Sequence, residues 1–145
     1  MTVNLLAQDS TTTWTEAWIA MLGVGVLLVA AGFLVVGLAE RGADGRLGLN
    51  GSAGIRTKAT MASDEAWLAA HQAGRGLSVA GGWVMILGAP LAVLLAVLFS
   101  GDSAERAVFI WGVVIGVMTV ATLVSVVLGA VKGNRAAKDL ADKRP

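Results

Sequence analysis

The sequence predicts an all-α membrane protein with three transmembrane helices and a short interfacial helix on the cytoplasmic side. Three observations carry this prediction. The 145-residue chain is 56% hydrophobic and only 14% charged, against roughly 25% charged in ordinary soluble domains, and its mean hydropathy is +0.74. Three uncharged runs are each long enough, at about 1.5 Å per helical residue, to cross a hydrocarbon core of ~30 Å. The basic residues then fall into the linking segments in the order 0, 5, 1, 5. Since positive charge stays on the cytoplasmic side, that order places the N-terminus outside and the long loop and C-terminus inside.

Residues 1–13 contain no Lys or Arg and no apolar core of the kind a secretory signal needs. They are expected to form a short polar tail that is retained. The first transmembrane helix is expected over 14–39, where Ile19–Ala39 carries no charge. Trp14 and Trp18 stand four apart on one helix face, at the depth of the outer aromatic belt. Gly23, Ala30 and Gly37 recur every seven residues, a small-residue stripe suited to close helix approach.

A Gly-rich loop is expected over 40–62. Its glycines at 42, 45, 48, 51 and 54 match neither a dinucleotide-binding fingerprint nor a P-loop, so a flexible linker is the expectation. The interfacial helix follows over 63–75. Ser63 supplies an N-cap and Asp64 and Glu65 fill the first turn, where the helix dipole favours negative charge. Ala66, Ala69, Ala70, Ala73 and Gly74 make one small-residue face, while Trp67, His71 and Arg75 form a stripe along its border. An alanine face suits packing on other helices better than insertion into lipid. This helix is therefore expected to dock on the ends of the spans.

The second span is expected over 77–99, with Gly88, Ala92 and Ala96 four apart and a kink at Pro90. Residues 100–106 make a short outer turn in which Ser103 can cap the third span, expected over 107–131. That span has a Gly112/Gly116 pair and a weakly polar line of Thr122, Ser125 and Gly129. Residues 132–145 form a basic cytoplasmic tail that can continue the helix. On this layout Trp14, Trp18 and Trp111 lie near the outer interface and Trp67 and Trp83 near the inner one.

The chemistry points away from catalysis. None of the apolar runs (19–39, 77–99 and 107–131) contains an ionisable residue, whereas proton relays and ion pathways within membranes normally show one. There is no cysteine, hence no disulfide and no thiolate metal site. The single histidine, His71, is expected to be an interfacial residue stacked near Trp67. No nucleophile elbow or Ser-x-x-Lys motif occurs, and the net charge of +1 offers no basic field for nucleic acid. No enzyme activity, cofactor or metal is expected. Arg56 is expected to pair with Asp64 or Glu65, folding the loop back over the spans.

The central stretch resembles the SdpI family of bacterial membrane proteins. The residues that carry the likeness are GIRTKAT (54–60), SDEAW (63–67) and His71, followed at once by a transmembrane helix. Gln72 departs from the pattern, since members often have a basic residue there; Arg75 stands one turn later. Some members also carry further spans. The family takes its name from an immunity protein that protects a bacterium from a secreted peptide toxin and takes part in signalling. The resemblance marks Arg56, Thr57, Trp67 and His71 as family-motif positions. With Asp64 and Arg75 they make the expected partner surface. It implies a non-enzymatic protein of the bacterial plasma membrane that binds a peptide or another membrane protein, with a homo-oligomer possible. An accessory subunit of a larger membrane complex, such as a respiratory assembly, is the alternative. Gly23, Ala30, Gly37, Gly88, Ala92, Gly112 and Gly116 are the expected helix-packing positions.

Overall fold

A computed structural model describes residues 13–49 and 52–143; the expected tail over 1–12 and Arg144 lie outside the described residues. The described residues form three helices and no strand: α1 (Trp14–Ala43), α2 (Asp64–Phe99) and α3 (Ala104–Asp142). Each is long and apolar enough to cross a membrane.

Local signals start each helix. Thr13 caps α1 through a reciprocal capping box with Glu16, which satisfies two backbone donors that no helical carbonyl can reach. Ser63 accepts from the Ala66 N–H at the start of α2, and Ser103 from the Arg106 N–H at the start of α3. Acidic residues occupy the first turn of all three helices.

The expected separate interfacial helix does not form. Residues 64–75 are instead the first turns of α2, which runs unbroken through Gly74, Gly76 and Pro90 to Phe99. A glycine in a helix interior costs only about 1 kcal/mol relative to alanine, and here Gly74 gains a close contact with α3. The alanine face does pack on a span. Ala66 and Ala70 form a buried cluster with Ala137, in the part of α3 that continues beyond the apolar run. The other boundaries shift in the same direction: α1 extends four residues past Ala39, and α3 begins at Ala104 and absorbs most of the basic tail.

Helix α2 is the central element. It packs along both neighbours, which scarcely touch each other. Its seam with α3 is built on glycines seven apart. A Cβ on Gly74 would stand 2.7 Å from the Gly129 carbonyl oxygen, one on Gly81 3.2 Å from the Thr122 carbonyl oxygen, and one on Gly88 would collide with Met118. At the loop end, a Cβ on Gly133 would stand 2.5 Å from the Ala70 carbonyl oxygen. Thr122 adds a hydrogen bond across this seam, its hydroxyl donating to the Gly81 carbonyl at 3.1 Å. The seam with α1 crosses at Gly32 and Gly82, each of which approaches the other's carbonyl within 3 Å of where a Cβ would stand. At the opposite end Ala17, Met21, Ala96, Ala104 and Ala107 close the bundle, with Trp111 packed against them.

Of the expected packing positions, Gly88 and Ala92 are buried, Gly88 against Met118 of α3. The others face outward. Gly23, Gly37, Gly112 and Gly116 have open space where a Cβ would stand, and Ala30 is exposed. In α1 the buried stripe contains Ala17, Met21, Gly25 and Gly32, of which Gly32 touches α2 directly while a Cβ on Gly25 would stand in open space. Gly25 and Gly32 share the seven-residue spacing of the expected stripe. They are offset from it by two residues, roughly 160° around a helix of about 3.6 residues per turn.

These contacts separate two classes of glycine. Gly133→Leu is expected to lower the unfolding free energy by about 1–3 kcal/mol through overpacking. Gly23→Ala is expected to be neutral, or stabilising by roughly 0.5–1 kcal/mol through helix propensity. Reversible unfolding in mixed detergent micelles, followed by circular dichroism, measures both; equal effects would contradict the packing described.

Candidate functional site

The segment between α1 and α2 is pinned to one end of the bundle by side chains of its own motif. His71 sits at the centre and is only 4% exposed. Its Nδ1 lies 2.8 Å from the Trp67 carbonyl oxygen, one helical turn earlier. Its Nε2 accepts from the Ile55 backbone N–H at 2.9 Å. An acceptor at Nε2 leaves Nδ1 as the donor, so the two contacts select one neutral tautomer. The Trp67 and His71 rings lie 4.3 Å apart, centre to centre.

Two glycines make room for that ring. A Cβ on Gly42, at the end of α1, would come within 2.5 Å of the imidazole, and one on Gly54 would strike both the imidazole and the indole. Gly54 also has φ +103°, a conformation that favours glycine. His71 is thus held between the end of α1 and the returning loop, with α2 beneath it.

Trp67 fixes a second point of the loop. Its indole N–H donates to the Leu47 carbonyl at 2.7 Å, and the side chain is 2% exposed. This differs from the expected membrane-belt role, because the indole is enclosed by loop and helix and its one donor is already partnered. Gln72 adds a longer contact, its amide donating to the Ala43 carbonyl at 3.4 Å.

The third point is a threonine pair. The Thr60 hydroxyl donates to the Ile55 carbonyl at 2.6 Å and accepts from the Thr57 N–H at 2.8 Å, while the Thr57 hydroxyl accepts from the Thr60 N–H at 3.2 Å. Thr57 and Asn134 also meet through Oγ1 and Oδ1 at 2.6 Å, with the hydroxyl donating. That bond joins the loop to α3 across 77 positions of sequence. Ile55 inserts its side chain at the same junction, where Cβ atoms on Gly74 or Gly133 would reach its Cδ1 within 3 Å.

The charged motif positions lie outside this core. Arg75 donates through Nε and Nη2 to the Glu40 carboxylate, at 2.8 and 3.0 Å, tying the start of α2 to the end of α1. The other ion pair among the described residues joins Arg46 to Asp44. The expected pairing of Arg56 with Asp64 or Glu65 does not occur: Arg56 and Asp64 are exposed, and neutral hydrogen bonds to His71, Thr60 and Asn134 hold the loop instead. Among the described residues no group of three or more His, Cys, Asp or Glu could hold a metal ion, and both nitrogens of His71 already have partners.

The structure therefore gathers Thr57, Trp67 and His71 into one clamp and leaves Arg56 and Asp64 on its outer surface, with Arg75 at its flank. Three contributors escaped the sequence reading. Thr60 was visible only as half of a Thr-x-x-Thr spacing, Glu40 as the last acid of α1, and Asn134 as one polar residue among several in a tail. Thr60→Val keeps the side-chain shape but leaves the Ile55 carbonyl and the Thr57 N–H without their partner, a cost of about 1–3 kcal/mol. His71→Phe keeps a ring and removes the acceptor for Ile55. Hydrogen exchange at the Ile55 amide is expected to accelerate in His71→Phe by roughly tenfold for each 1.4 kcal/mol lost; an unchanged rate would mean that the imidazole does not hold the loop.

No curated protein and no solved structure matches the chain. A family model does match, over residues 46–130, a range that begins in the loop and contains Ile55, Thr57, Thr60, Trp67 and His71 but not Gly42 or Asn134. It spans well over half of the sequence, and the chain belongs to the SdpI/YfhL protein family.

Proposed function

We propose that this integral membrane protein acts by binding, not by catalysis, and that the loop clamped on α2 presents a fixed surface to a peptide or protein partner in an immunity or signalling role. The observation that carries this reading is the division of labour within the motif. Thr57, Trp67 and His71 fix the backbone from inside, with Thr60, while Arg56, Lys58 and Asp64 remain exposed on the outside. A preorganised loop loses little conformational freedom on binding, which favours affinity. The apolar runs 19–39, 77–99 and 107–131, which lack ionisable residues, fit an interaction protein better than a transporter.

A second reading is favoured by a different feature. Gly23 and Gly37 on α1, and Gly112 and Gly116 on α3, open outward from the bundle, and small residues on a lipid-facing surface permit close approach by another helix. That suits an accessory subunit of a larger membrane assembly.

The two readings separate in one set of measurements. Deletion of the gene is expected to raise sensitivity to a secreted peptide toxin encoded nearby, with Arg56→Ala/Lys58→Ala weakening protection while leaving thermal stability unchanged. Unaltered sensitivity, together with a stoichiometric membrane complex in mild detergent, would replace the first reading with the second.

The proposed location is the bacterial plasma membrane with the N-terminus outside. The chain has no cysteine, so single cysteines report orientation directly. A membrane-impermeant maleimide added to intact cells is expected to label Asp102→Cys and to spare Lys143→Cys until the cells are permeabilised; the reverse pattern would invert the topology.

A further inference from the structure

Because α1 and α3 scarcely touch, a half-open cleft of about 230 Å³ remains between them beneath Ile55. Val35 and Leu38 line one side, Val126 and Ala130 the other, with Gly74 at its base and Arg75 among its lining residues. The walls belong to the apolar parts of α1 and α3, and the polar side chains of the lining, His71, Arg75 and Ser78, all come from α2, with His71 and Arg75 toward its loop end. The cleft is therefore amphipathic along its length, apolar toward the membrane interior and polar toward the loop.

Charge distinguishes this end of the molecule. Among the described residues nine basic ones (Arg41, Arg46, Arg56, Lys58, Arg75, Lys132, Arg135, Lys138 and Lys143) and six acidic ones lie here, a surplus of three positive charges (9 − 6). The opposite end has one basic residue and three acidic ones among the described residues. Arg75 binds Glu40 through Nε and Nη2, which leaves the two donors of Nη1 outside that pair. Water is a poor occupant of the apolar part, since buried water needs two to four polar partners, and His71 already uses both nitrogens. The volume admits several methylene groups but not a peptide helix about 10 Å across.

We propose that this cleft binds one acyl chain of an anionic phospholipid, with the lipid phosphate held by Arg75 at the rim. Basic pockets between helices on the cytoplasmic side suit anionic head groups, and a guanidinium supplies planar paired donors to phosphate. The lipid chain continues the hydrophobic surface where α1 and α3 part, and the head group lies beside the family-motif loop.

The test uses the full chain in a neutral mild detergent. Phosphatidylglycerol or phosphatidylcholine of identical acyl composition is added, and native mass spectrometry and thermal unfolding are read together. Wild type is expected to retain one phosphatidylglycerol per chain, at least fivefold in preference to phosphatidylcholine, and excess inorganic phosphate should not displace it. Ala130→Phe, which fills the cleft from α3, is expected to abolish retention; Val35→Phe does the same from the opposite wall should the first variant lose its helical circular dichroism. Arg75→Gln is expected to bring the two lipids to within twofold of each other. Glu40→Gln breaks the same ion pair but leaves the guanidinium, and is expected to keep the preference. The proposal fails if both lipids are retained equally by wild type or if neither is. It fails equally if inorganic phosphate displaces the lipid, if both cleft-filling variants retain it, if Glu40→Gln behaves like Arg75→Gln, or if denaturation releases a bound peptide in place of lipid.

Discussion

Two helices can approach until their backbones touch only where no side chain stands between them, and that close approach governs this bundle. Gly74 meets Gly129 and Gly133 meets Ala70 with no room for a Cβ. In a bilayer the apolar face of a helix gains little by leaving lipid for another apolar face, so dispersion contacts at short range and hydrogen bonds supply the attraction. Both occur along α2 and α3: small residues repeat through Gly74, Gly81 and Gly88, and the Thr122 hydroxyl reaches the Gly81 carbonyl. A seven-residue repeat keeps such a seam on one face as two helices run together.

The clamp depends on that seam. Only because α3 lies tight against the first turns of α2 does Asn134 stand where Thr57 can reach it. Ile55 then fills the corner beside Gly74 and Gly133, and its backbone N–H is brought to His71. The contacts that follow are neutral and largely buried. Such bonds contribute modestly when made and cost more when one partner is lost, so the threonine–histidine network enforces one loop path more than it adds stability. Exposed ion pairs lack that property: solvent competes for both partners, and Arg46 with Asp44 ties only neighbours in sequence.

Much of this was legible in the sequence because the relevant rules are local. Uncharged runs give spans, and Ser63 and Ser103 give helix starts through the orphaned N–H groups that they satisfy, whereas Thr13, the cap of α1, was assigned only to the tail. The alanine face of 66–70 and the stacking of Trp67 on His71 followed from helical spacing alone. What spacing cannot supply is phase. The period of seven in α1 was visible, but Gly23/Ala30/Gly37 and Gly25/Gly32 carry it equally, and only the location of α2 chooses between them. The interfacial helix was expected to end at 75 and the second span to begin at 77, whereas the contact of Gly74 with Gly129 favours one continuous helix. Arg56 was assigned to an acid close in sequence, yet the loop path is fixed by bonds spanning 16 and 77 positions, and those turn it outward.

The same long-range choice explains why the bundle is not fully closed. Helix α2 presents glycines to both neighbours, Gly32 of α1 at Gly82 and the α3 seam at Gly74, Gly81 and Gly88. Each neighbour is drawn onto α2 more closely than onto the other, since neither offers the other a matching small-residue face: Gly23 and Gly37 point away, as do Gly112 and Gly116. At the end away from the loop Ala17, Met21 and Ala107 bring α1 and α3 together. Toward the loop the two helices part, and the gap is covered by Ile55 and flanked by the Arg75–Glu40 pair. The motif loop and the opening beneath it are therefore two consequences of one constraint. Any ligand that enters the opening meets the residues that hold the loop, and any partner that docks on the loop acts on a backbone whose position depends on how that opening is filled.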